Sequence, residues 1–274
     1  MTASRDESVL SPAAFLLRGL AVGLAAGLVA FLVAFAFGEP YVDDAIALEE
    51  ASAAQTPADE PAGADEHAEE HVEDESGMVE VSRDNQKSWG LLTGTLAIGA
   101  ALGGLTALAA AAVLGRLGGL SARGSTALVA LLGFVAVALV PFAKYPATPP
   151  AVGSGETIGG RTASYFGLLL VSVLTVIAVV VLANRLLGRV DGWTAALIGA
   201  AIYVTVVSVA ALLLPTVNEL GDFPADTLWY FRRSSLITLA ALWATIGIGL
   251  TALVGRLYDR VAADAARRQL AASL

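Results

Sequence analysis

The sequence predicts an all-α polytopic membrane protein: six transmembrane helices arranged as three hairpins, with long outer loops and both termini cytoplasmic. Three observations carry this expectation. The 274-residue chain is 56% hydrophobic and only 15% charged, a balance that does not belong to a soluble domain. Six stretches, about 13–38, 89–114, 125–142, 163–185, 193–214 and 235–256, approach or exceed the ~20 apolar residues that a bilayer-spanning helix needs. Their cores contain no Asp, Glu, Lys, Arg or His, and length with charge exclusion separates a span from a buried soluble helix. The whole of 1–274 therefore reads as one transmembrane domain.

The first span follows Arg5 and Arg18 and ends near Ala34-Phe35-Ala36, which resembles a signal-peptidase site. Its apolar run exceeds the ~7–15 residues of a signal h-region, so a retained anchor is expected. Gly19, Gly23 and Gly27 recur at four-residue intervals in it, and Gly99 and Gly103 repeat the spacing in the second span. Small residues so spaced let helix backbones approach closely. Each outgoing helix meets a proline near its outer end (Pro40, Pro141, Pro215), and arginine precedes each returning one (Arg83, Arg161, and Arg232 with Arg233). The pattern is first the ordinary use of Pro to end helices and Arg to anchor them, and an internal repeat is the lesser reading.

Orientation follows from the cations. Arg5, Arg18, Arg116, Arg123, Arg185, Arg189, Arg256, Arg260, Arg267 and Arg268 fall on one side, against six Lys and Arg on the other. The positive-inside rule places the richer side, with both termini, in the cytoplasm of a cell (inner) membrane. The long loops 39–88, 143–162 and 215–234 then face outward.

The first outer loop carries sixteen acidic residues against Arg83 and Lys87, although the whole chain has a net charge of only −9. Residues 51–80, rich in Glu, Asp, Ala and Pro, are expected to be a disordered acidic insert. Before it, Ala45, Ile46 and Leu48 can form an amphipathic turn resting on the bundle. His67 and His71 lie four apart in HAEEH. On a helix they would share a face with Glu70, a reasonable site for a divalent transition metal; the other reading is two histidines in a solvated acidic run.

The second outer loop, PFAKYPATPPAVGSGETIGGRT, is the least ordinary stretch of the chain. Pro146, Pro149 and Pro150 force their neighbours toward extended geometry, so 144–151 should be a stiff strap. Gly153, Gly155, Gly159 and Gly160 should then permit tight turns. The third loop offers Asn218, Glu219, Asp222 and Asp226 as oxygen donors, with Trp229 and Tyr230 as interfacial aromatics.

Proton- or sodium-driven carriers place acids or histidines near the midplane, and here only hydroxyls such as Ser172, Thr175 and Thr238 occur there. Cysteine is absent and no histidine lies in a span, so an enzyme is not expected. Candidate functional residues are therefore confined to the outer edge: Glu39, Asp43, Asp44, Glu49, Lys144, Tyr145, Glu156, Arg161, Asn218, Glu219 and Arg232. Their carboxylates either converge as an oxygen-lined vestibule or are locked by Lys144, Arg161 and Arg232 as ion pairs.

In this order, EPYVDDAIALEEA, VSRDNQKSWGLLTG, PFAKYPATPPAVGSGETIGGRT and PTVNELGDFPADTLWYFRRSSL resemble the CbtA family of predicted cobalt transporter subunits, over nearly the whole chain. Carried over by position, the motif residues are Glu39, Pro40, Glu49, Lys144, Tyr145, Pro146, Pro149, Pro150, Glu156, Arg161, Asn218, Glu219, Phe223, Pro224, Trp229 and Arg232. The resemblance implies cobalt(II) as substrate rather than resident cofactor, a link to cobalamin synthesis, and a small histidine-bearing single-span partner of the CbtB type. Membrane lipid is the other expected contact, and no nucleic acid is. The expected function is thus the membrane subunit of a cobalt or other divalent-cation uptake system. The alternative is a non-transporting scaffold with a structured outer face.

Overall fold

The structure, a computed structural model, describes residues 11–55 and 82–273. These residues form seven helices: α1 (Pro12–Phe37), α2 (Glu39–Gln55), α3 (Arg83–Val113), α4 (Ala122–Lys144), α5 (Gly155–Leu186), α6 (Gly192–Leu213) and α7 (Ala225–Ala272). All but α2 are long and apolar enough to cross a membrane, each covering one expected span.

Local chemistry explains the ends. The Ser11 hydroxyl accepts from Ala14 N–H and Pro12 opens α1; Ser121 caps α4 by accepting from Gly124 N–H at 3.1 Å. Asp191 caps α6, accepting from the N–H groups of Trp193 and Thr194 at 3.0 Å each. Within α4, residues Phe134–Leu139 widen into a π-helical turn, with Val140 N–H bonding the Val135 carbonyl five residues back. Pro141 follows; it cannot donate to residue 137 and would crowd that carbonyl, and the wider turn relieves the clash.

The bundle is organised around α1 and α3, which pack more extensively than any other pair. A Cβ on Gly19 would lie 2.5 Å from the Gly103 carbonyl oxygen, one on Gly27 2.5 Å from that of Thr95, and one on Gly23 would collide with that of Gly99. The glycine spacing thus produces backbone-to-backbone contact. In lipid this packing, rather than release of water, drives helix association. Helix α7 lays Leu242, Ile246 and Leu250 against Val22, Ala26 and Ala30 of α1 and Ala107 of α3. Near the end holding Ser11, Phe15 meets Val254 and Leu257. Helix α4 packs on α7, Phe134 and Trp243 meeting at 6.5 Å between ring centroids.

The helix pairing differs from three packed hairpins. The first hairpin forms, and α5 meets α4 along residues 134–144. The third does not close in the same way, because α6 packs chiefly on α5 while α7 packs on α1 and α4. Residues 187–191 are too few to separate α5 from α6, whereas the longer, irregular 214–224 segment can reach further, each residue spanning at most about 3.3–3.6 Å.

Two loop boundaries also move. Helix α2 continues through 51–55, part of the expected disordered insert, because the alanine-rich ASAAQ favours helix; the rest of the insert, with His67, Glu70 and His71, lies outside the described residues. Helix α7 begins at Ala225, not near 235. Pro224 is well placed just before a first turn carrying Asp226, and Arg232 and Arg233 ride its early turns rather than a loop.

Candidate functional site

One end of the bundle, the strap face, gathers α2, the start of α3, residues 145–154 and residues 214–230. Three arginines, each just before or just inside a returning helix, organise it. Arg83 forms an ion pair with Glu39 and donates from Nε to Asp43 Oδ1 at 2.9 Å, fastening α2 across the top of α3. Tyr41 of α2 stacks on Tyr230 of α7, centroids 5.5 Å apart at 15°, and the Arg233 guanidinium covers Tyr230 at 4.7 Å.

The second arginine builds the strap. The chain leaves α4 at Tyr145 (φ −126°, ψ 73°) and runs without regular structure past Pro149, as the prolines demand. It turns back through Ala151 at φ 63° and Gly153 at φ 104°. Arg161 Nη2 donates to the Ser154 carbonyl at 3.1 Å, closing that turn. Gly159 and Gly160, expected in the turn, are instead helical in α5. A Cβ at Gly153 would press on the Arg161 guanidinium, 2.9 Å from its carbon. Gly153→Ala therefore combines a left-handed backbone, which costs a β-carbon-bearing residue about 1–2 kcal/mol, with displacement of Arg161. We expect a clear fall in thermal stability in detergent and faster proteolysis at 145–157; wild-type cleavage rates would contradict this geometry.

Glu219 joins the strap to the third loop. Its Oε2 accepts from Ser154 N–H at 3.0 Å and from the Thr157 hydroxyl at 2.9 Å, with Arg161 Nε 3.7 Å away. Ser154 N–H and the Thr157 hydroxyl, with Arg161 adding to them, hold the Glu219 carboxyl below its ordinary 4.5. Two further contacts tie the same loops: the Tyr145 hydroxyl donates to the Pro215 carbonyl at 2.8 Å, and Lys144 Nζ to Thr216 Oγ1 at 3.3 Å. Arg232 completes the arginine set, its Nε donating to the Ala147 carbonyl at 3.3 Å.

The face holds two open cavities that share Tyr145, Ala147 and Tyr165. The smaller, about 430 Å³, lies among the ends of α1, α3, α4, α5 and α7 and is lined by Glu39, Ser234, Ser235 and Thr238 among apolar side chains. The larger, about 900 Å³, lies under the strap and is lined by Lys144, Arg161, Arg232, Asn218 and Glu219. Candidate residues thus divide. Glu39 lines the first cavity and pairs with Arg83, together with Asp43; Lys144, Tyr145, Arg161, Asn218, Glu219 and Arg232 line the second. Asp44, Glu49 and Glu156 are exposed outside both. Among the described residues no three His, Asp or Glu side chains stand together as a metal-holding group.

Arg83, Ser154 and Thr157 were not among the sequence-derived candidates. The arginine preceding each returning helix was the available signal for the first; the other two act through a hydroxyl and an N–H that carry no pattern. In the spans, the hydroxyls of Thr126, Thr175, Thr205 and Thr245 donate to carbonyls four residues back. Ser172 and Tyr203 bond each other at 2.7 Å between α5 and α6.

Six helices long and apolar enough to cross a membrane define a polytopic membrane protein. A family model described as "Probable cobalt transporter subunit (CbtA)" matches residues 13–255. The chain belongs to the CbtA family. Comparison with curated proteins and with solved structures finds no match.

Proposed function

We propose that this protein is the membrane subunit of a cobalt(II) uptake system serving cobalamin synthesis. In this reading the strap face is extracytoplasmic and both termini are cytoplasmic. The observation that carries the reading is the smaller cavity, which brings Glu39, paired on one oxygen with Arg83, and the hydroxyls of Ser234, Ser235 and Thr238 to the mouth of a bundle whose span cores carry no charge. Those hydroxyls donate to Phe231 and Ser234 carbonyls of their own helix, which leaves their oxygens able to accept. Hydroxyl and carboxylate oxygens are acceptable to Co²⁺, and equally to other divalent cations. The acidic first loop raises the local cation concentration. A single-span, histidine-bearing CbtB-type partner supplies the nitrogen donors that the described residues lack. Orientation rests on the arginine-rich opposite end, where Arg116 bonds the Ala112 carbonyl and Arg123 pairs with Asp259.

The test is uptake of radioactive cobalt by cells expressing the chain with and without that partner. We expect accumulation above vector controls, greatest with both subunits. Correctly inserted protein that adds no uptake in either case would favour the scaffold reading.

A further inference from the structure

The cavity beneath the strap has the wrong charge for a bare cation. Lys144, Arg161 and Arg232 line it against a single acid, Glu219, and that acid is already engaged by Ser154, Thr157 and Arg161. Lys144 and Arg232 meet only neutral oxygens, those of Thr216 and Ala147, and no carboxylate among the described residues pairs with either. Arg161 Nε is buried without a hydrogen-bond partner. Cations held partly out of water without counter-charge are unfavourable, and an oxyanion supplies the missing partner with charge-assisted hydrogen bonds. The volume, about 900 Å³, lies in the range of small-molecule sites, roughly 300–1,000 Å³, and is generous for an inorganic ion. Ile158 and Phe166 supply an apolar wall.

We propose that this cavity is a binding site for an organic oxyanion, a carboxylate- or phosphate-headed molecule, including a divalent metal carried as its anionic carboxylate complex. Lys144 and Arg232 hold the anionic head, while Arg161 maintains the turn through Ser154 and adds its positive charge to the wall. The anion chemistry stands on this cavity alone; only the metal-bearing form rests on the uptake reading above. Two sources fit the same chemistry, a soluble polycarboxylate and the headgroup of an anionic lipid.

The full chain, purified in an uncharged maltoside detergent, is titrated calorimetrically with citrate, with cobalt(II) citrate and with cobalt chloride. In parallel it is placed in phosphatidylcholine nanodiscs with and without phosphatidylglycerol, and retained lipid is read by native mass spectrometry. Arg232→Gln and Lys144→Gln are compared with wild type after a check for monodispersity; among the described residues the Lys144 ammonium bonds Thr216 Oγ1 and lies over the Tyr145 ring, so Lys144→Gln gives up one long hydrogen bond and is the milder change. Citrate or its cobalt complex binding, weakened at least tenfold in either variant, supports a soluble anion. Selective retention of phosphatidylglycerol, lost in the variants, supports the lipid source. Absence of both, or equal binding by wild type and both variants, overturns the proposal. So does cobalt chloride binding that neither anion reproduces, an outcome that leaves the uptake reading standing. Conversely, anion binding without cobalt uptake removes that reading and keeps the site.

Discussion

Replacing Gly23 by leucine should prevent α1 and α3 from packing and leave little folded protein. A single β-carbon there already collides with the Gly99 carbonyl oxygen and comes 2.8 Å from the Ala100 α-carbon. Ordinary overpacking costs about 1–3 kcal/mol because neighbouring side chains yield. Here the obstacles are backbone atoms of a helix that meets Gly19 and Gly27 by the same geometry, so the two helices must separate. Separation also removes Ala107 of α3 from the core that α1 and α7 form with it. The measurement is the monodisperse yield after detergent extraction, with thermal unfolding of whatever survives. We expect yield to collapse for Gly23→Leu, and to be retained for a leucine at Gly167, where nothing lies within 4 Å of an added Cβ. Equal yields would show that the glycine contact does not hold the bundle together.

The second large effect is expected at Glu219. Glu219→Gln removes the charge that holds Ser154, Thr157 and Arg161 to one oxygen, so the strap and the 214–224 segment should part. Because its hydrogen bonds depress the carboxyl's pKa below 4.5, the folded state binds this proton less readily than the unfolded chain. The contribution to stability is therefore fully present above the ordinary value and is lost as pH falls through the lower, folded one. Unfolding temperatures of wild type and Glu219→Gln should differ most near neutral pH and converge in the acid range. A gap independent of pH would mean that the carboxylate charge is not what closes the clamp.

The sequence made the spans legible because charge exclusion over some twenty residues has one common cause, and it made the α1–α3 contact legible because glycine spacing maps directly onto close approach. Partner choice for α5, α6 and α7 was not legible. Helices α5 and α6, and α7 over its apolar stretch, carry apolar residues on nearly all sides, so periodicity names no buried face. The early start of α7 was hidden by Arg232 and Arg233, read as loop cations, although an arginine in the first turns of a span can reach its polar surroundings. At the site, Glu219, Arg161, Lys144 and Tyr145 were singled out from their motifs. That Glu219 takes Ser154, a residue 65 positions earlier, is a consequence of how α5 and the third loop meet, which no local spacing encodes. Of the cations expected to lock the carboxylates, Arg161 lies 3.7 Å from Glu219, while Lys144 and Arg232 meet the neutral oxygens of Thr216 and Ala147. Glu39 and Asp43 pair with Arg83, which that expectation did not include.

In the proposed reading the strap face, not the apolar interior, governs what the protein does. Cobalt uptake by cells carrying equal amounts of correctly inserted wild type, Glu219→Gln and Ser172→Ala tests it most directly. Ser172→Ala removes the hydroxyl pair with Tyr203 inside the bundle and leaves the strap face untouched. The account predicts chain-dependent uptake that falls several-fold in Glu219→Gln and stays near wild type in Ser172→Ala. Loss of uptake in Ser172→Ala with full activity in Glu219→Gln would contradict it.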